Sequence, residues 1–161
     1  MRNARPAHPG LLPAIVVGGG MAATFDIVYA FARQAGGGRS PEWVLQSVAS
    51  GWLGERAFIG GIPAALLGLL SHYGILLVAA LLYVLAARRL PVLREHSMIA
   101  GALFGAAIYL FMNFVVIPLS AFPFTLSYPV ARLVEGFIAH AVFVGIPIAA
   151  GALYPVFGVL L

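Results

Sequence analysis

The run from Ile62 to Ala87, IPAALLGLLSHYGILLVAALLYVLAA, decides the fold. It holds no Asp, Glu, Lys or Arg and exceeds the roughly 20 apolar residues that a helix needs to cross a bilayer. No membrane-barrel strand reads this way, because such strands alternate polar and apolar residues over about 10 positions. Three further runs of the same kind lie at about Leu11 to Ala35, Met98 to Ile117 and Val130 to Tyr154. Together the four predict an all-α membrane protein, a four-transmembrane-helix bundle forming a single membrane domain over residues 1–161.

The composition agrees. Of 161 residues, 62% are hydrophobic and 9% charged, with a mean hydropathy of +1.02; soluble domains carry about 25% charged residues. A soluble enzyme core is excluded. The absence of cysteine removes disulfides, thiolate metal sites and a cysteine nucleophile, and the absence of lysine removes a Schiff base or a lysine base. No catalytic motif names a reaction. All nine basic residues are arginines that flank the apolar runs, so the net charge of +4 reads as membrane orientation and not as nucleic-acid binding.

Arg2 and Arg5 precede the first run, and Arg88, Arg89 and Arg94 crowd the link after the second; Arg33, Arg39, Arg56 and Arg132 fall on the other side. The compact basic link places both termini in the cytoplasm. Pro13 interrupts a would-be signal-peptide core, and apolar character resumes from Phe25 to Phe31, so the first run is expected to stay as a span.

After the Gly36-Gly37-Gly38 joint, Ser40 and Pro41 predict the N-cap and first residue of a short helix to about Leu53. Val44, Leu45, Val48, Ala49, Trp52 and Leu53 form one face, with Glu42, Gln46, Ser47 and Ser50 opposite, the pattern of an interfacial amphipathic helix anchored by Trp43 and Trp52. The connection from Pro118 to Pro129 carries no charge and suits an interfacial loop or one dipping between helices.

Inside the bilayer, an ionisable group costs about 3 kcal/mol and needs a partner or a purpose. Asp26 lies about ten residues before the outer end of the first span, and His72 and His140 each lie about ten after the start of theirs. At 1.5 Å per residue all three reach about 15 Å depth, mid-membrane. Asn113, nearer the outer end of the third span, is expected to orient a histidine or bind water. Several readings of this layer stay open. It forms a polar centre that passes or senses protons, a cation or a small solute entering beneath the Pro118 to Pro129 loop; or a register-fixing pair in a structural or accessory subunit with no transport activity. Two histidines and a carboxylate also match a metal ligand set, and two histidines at equal depth match the axial ligands of one b-type haem. His8 and His96 read as solvated flank residues.

Gly101 with Gly105, Gly19 with Ala23 and Ala64 with Gly68 are small-x-x-x-small pairs for close helix packing, within the chain or in a homo-oligomer or with a membrane partner. Pro147 is expected to kink the fourth span one turn past His140, and Arg132 to pair with Glu135. Gly18 and Asp26 are spaced like Gly105 and Asn113, a weak sign of two parallel repeats.

Several runs resemble the YagU-like family of small bacterial inner-membrane proteins: Asp26-Ile27-Val28-Tyr29-Ala30, the stretch from Val44 to Gly51, Ala57 to Gly61, Ala86 to Pro91, Met112 to Ala121, and His140 leading to Val144 to Ala149. The resemblance implies a bacterial inner membrane and transfers no catalytic residue, since the family is uncharacterised.

Overall fold

The computed structural model describes residues 10–125 and 127–153. The expectations placed on Arg2, Arg5, His8 and Tyr154 lie outside the described residues. The chain is an all-α four-helix membrane bundle, with no strand among the described residues and four helices long and apolar enough to span a bilayer. The first is α1 (Leu11–Ala35). A shorter helix, α2 (Pro41–Leu53), and a 3-10 turn (Gly54–Ile59) lead to the second span, α3 (Gly61–Arg89). A one-turn helix, α4 (Val92–Glu95), links to α5 (Ser97–Phe111), which a π turn (Met112–Val116) extends as the third span. The fourth combines α6 (Val130–His140), a π turn (Ala141–Gly145) and α7 (Ile146–Leu153).

The core is built mostly from small residues, including Ala14, Ala22, Ala23, Ala79, Ala80, Ala149 and Ala152, with Val84, Val144 and Ile148 as its larger fully buried members. Lipid offers helices no hydrophobic drive to associate, so contact depends on how closely their backbones approach. Gly18 faces Gly151 and the Ile148 carbonyl of α7, while Gly19 faces Ala80 and the Leu76 carbonyl of α3, which seats α1 between the other two. Gly101 and Gly105 lie against Gly145, where a side chain on any of the three would meet backbone. Large apolar residues such as Leu70, Leu82, Leu103 and Ile138 face outward.

The two spans joined by α4 meet through Tyr83 and Phe104, ring centroids 5.1 Å apart. Toward the α2 side an apolar groove of about 440 Å³ separates them, with Trp52 and Ser71 among its lining residues.

Ser40 caps α2 by accepting the Trp43 N–H at 3.1 Å, with Pro41 in the first turn. The helix buries Val44 and Ala49 of its expected apolar face, but residues of the expected polar face are buried with them. Gln46 and Ser50 are buried, and Trp52 is 72% exposed. Gly68 is the cause: it admits the Leu45 carbonyl and Ala49 of α2 at backbone distance, turning the small residues of α2 toward α3. Gln46 satisfies its buried amide on Glu42 and the Gly61 carbonyl, and Ser50 bonds the Ser47 carbonyl. Trp43 lies under the Arg39 guanidinium and beside Phe58, and the Trp52 indole N–H donates to Ser71 Oγ at 3.1 Å.

Candidate functional site

Asp26, His72 and His140 come together. His72 Nε2 is 4.0 Å from Asp26 Oδ2 and His140 Nε2 is 3.9 Å from Asp26 Oδ1. Their side chains are 14% exposed for Asp26, 9% for His72 and 23% for His140, so the layer is largely shielded. Helix rise put them at one depth, and the glycine contacts of α1 with α3 and α7 bring their faces together.

Each imidazole is held by a backbone carbonyl. His72 Nε2 lies 2.9 Å from the Ala23 oxygen on α1, and His140 Nδ1 lies 3.0 Å from the Gly136 oxygen one turn back on α6. The Asp26 carboxylate, by contrast, has no hydrogen bond among the described residues; the two imidazoles lie within 4.0 Å of it. It borders a cavity of about 270 Å³ lined also by Tyr29, Arg33, Val44, Ser47 and His72. That cavity runs between α1 and α2 toward the end of α1, where Gln34 lines it. A buried charge without hydrogen bonds costs several kcal/mol, and the cavity leaves room for water beside Asp26.

Sequence reasoning missed the opening. The Pro118 to Pro129 loop, beneath which an entry is expected, is packed against its neighbours, and the cavity that borders Asp26 lies beside α2. Ala121 N–H donates to the Gly51 carbonyl, Phe124 packs on Phe58, and the Tyr128 hydroxyl donates to the Asn113 carbonyl at 2.7 Å. A signal for the cavity was present: Asp26, Tyr29 and Arg33, at i, i+3 and i+7, share one face of α1 and line it.

Asn113 stays out of the centre. Its amide donates to the Tyr109 carbonyl at 2.9 Å, one turn back, so it orients neither histidine. It sits in the Met112–Val116 π turn, whose altered register adjoins the Tyr128 contact. The Gly105 to Asn113 spacing therefore does not reproduce the Gly18 to Asp26 arrangement. Tyr109 is the α5 residue at the site, with its ring 4.9 Å from that of His140 and its hydroxyl on the Arg132 carbonyl.

Glu135 pairs with Arg33 of α1 at 2.7 Å, not with Arg132, and also accepts the Tyr29 hydroxyl at 2.9 Å. These contacts tie α1 to α6 on the α2 side of Asp26. The distortion expected at Pro147 lies before it, in the Ala141–Gly145 π turn that starts directly after His140. Proline lacks the N–H and crowds the carbonyl four residues back, Phe143, and the wider turn accommodates both.

The donor set does not fit haem or a metal. The Ala23 carbonyl occupies the His72 nitrogen nearest the carboxylate, and the Asp26 carboxylate lies within 4.0 Å of Nε2 of both rings. Among the described residues no group of three or more ligand-type side chains is arranged to hold a metal ion. No family model, curated protein or solved structure matches the chain.

Proposed function

We propose that this membrane protein takes up and releases protons, or a small cation, at Asp26 from the side on which α2 lies, translocating or sensing them. The observation that carries this reading is the Asp26 carboxylate, flanked by two imidazoles at 3.9 and 4.0 Å, without a hydrogen bond from the described residues, and open to the cavity beside α2. A residue meant only to fix helix register would have its hydrogen bonds closed within the bundle.

On the sequence runs resembling the YagU-like family, we place the chain in a bacterial inner membrane. The arginine distribution supports cytoplasmic termini, with the α2 side periplasmic. The Gly101, Gly105 and Gly19 faces are used inside the bundle, so a homo-oligomer or membrane partner would dock elsewhere. The accessory-subunit reading draws on the His72 to Ala23 bond, which pins α3 to α1.

Reconstituted vesicles with an internal pH dye test the proposal. A proton flux that Asp26→Asn reduces at least tenfold is expected. A flux indifferent to Asp26→Asn, in protein that folds normally, removes the reading in favour of the accessory subunit.

A further inference from the structure

We infer that the exchanging species is the proton, held singly between Asp26 and His140, while His72 is a positioning residue locked in one tautomer. This rests on the reading of Asp26 given above.

Carbonyl oxygens only accept hydrogen bonds. The Ala23 carbonyl 2.9 Å from His72 Nε2 therefore requires a proton on Nε2 of His72, and the Gly136 carbonyl 3.0 Å from His140 Nδ1 requires one on Nδ1 of His140. The two rings thus take opposite tautomers and meet one carboxylate in opposite senses. His72 turns an N–H edge toward Oδ2, at 4.0 Å. Neutral His140 turns a bare nitrogen lone pair toward Oδ1, at 3.9 Å. Two lone pairs facing one another in a site of low dielectric repel; one proton between them converts repulsion into a hydrogen-bonded ion pair.

The step is simple in its bookkeeping. A proton arriving through the cavity protonates Asp26; the O–H bond breaks, the electron pair stays on the carboxylate, and an N–H bond forms at His140 Nε2. Only a closure of about 1 Å separates 3.9 Å from hydrogen-bonding distance. The π turn that begins at Ala141 lies next to the ring that must move. A metal ion is disfavoured by the same geometry, because with His72 Nε2 committed, only Asp26 and His140 Nε2 would remain as ligands. The other titratable or charged groups around the pair are His72 on α3, Tyr109 on α5, and on the α2 side Tyr29 and Arg33, which both bond Glu135.

Solid-state NMR of nitrogen-15 histidine-labelled protein in lipid vesicles reads the tautomers directly. His72 is expected to keep an Nε2–H and a bare Nδ1 as the pH is lowered, while His140 passes from Nδ1–H alone to both nitrogens protonated. In the vesicle assay, His72→Gln, which retains a donor for the Ala23 carbonyl, should lose less flux than His72→Leu, and His140→Gln should lose at least tenfold. A His72 that changes protonation while His140 does not overturns the assignment. So does zinc binding, measured calorimetrically with Zn²⁺ alone, that both glutamine variants abolish. Either result leaves an Asp26-dependent flux standing, whereas a flux indifferent to Asp26→Asn removes the underlying reading itself.

Discussion

Glu135 Oε1 receives both Arg33 Nε at 2.7 Å and the Tyr29 hydroxyl at 2.9 Å, joining the end of α1 to the start of the fourth span. Both members of the ion pair are about two-fifths exposed, 38% and 43%, so water screens them and their coupling is modest. Arg33→Gln and Glu135→Gln should each lower the thermal midpoint in detergent by less than about 4 °C. The double variant should lose less than the sum of the two. Strict additivity would show that the contact carries no coupling.

Gly105 approaches the His140 carbonyl and Gly145 so closely that a Cβ there overlaps backbone, while Gly20 has nothing within 4 Å of where its Cβ would be. Overpacking costs about 1–3 kcal/mol where the neighbour can move and more where it cannot. Gly105→Ala should therefore destabilise by at least that much, and Gly20→Ala should be neutral or stabilising by up to about 1 kcal/mol through its helix preference. Thermal denaturation of both variants checks the pair. A tolerated Gly105→Ala would mean that α5 and the fourth span stand further apart.

The Trp52 to Ser71 bond is a single exposed contact between α2 and α3. Interhelical hydrogen bonds in membranes average about 0.6 kcal/mol, with a ceiling near 1.7. Ser71→Ala should cost within that range. A larger loss would mean that the α2 seat depends on this bond more than on the Gly68 approach.

How far this arrangement was legible can be judged residue by residue. The depth match of Asp26, His72 and His140 rests on a fixed helical rise, and it translated directly into proximity. The α2 pattern misled because amphipathicity assigns polar residues to water, whereas Gln46 and Ser50 satisfy themselves locally and can be buried. Asn113 and Pro147 lie in or beside π turns, where a uniform 3.6-residue period no longer tells which way a side chain points. Glu135 stands three positions from Arg132 in sequence, yet its ion-pair partner is Arg33 of another helix, which no local spacing reveals.

The Tyr128 hydroxyl anchors the 118–129 connection to the Asn113 carbonyl, and the Phe114 ring stacks on the Tyr128 ring at 4.9 Å. Tyr128→Phe keeps the stacking and removes the bond. Faster limited proteolysis within that connection, with proton flux unchanged, is the expected outcome. A simultaneous loss of flux would place the connection on the ion path after all.

The absence of native cysteine allows the cavity itself to be tested with a single label. Ser47→Cys puts a thiol on the cavity wall opposite Asp26. A membrane-impermeant methanethiosulfonate applied from the α2 side, in the vesicles that report proton flux, should label this site and abolish the flux, while the same label at Ser127→Cys leaves it intact. Stoichiometric labelling at residue 47 with undiminished flux would contradict the account, because protons would then be reaching their site by a route that does not pass beside α2.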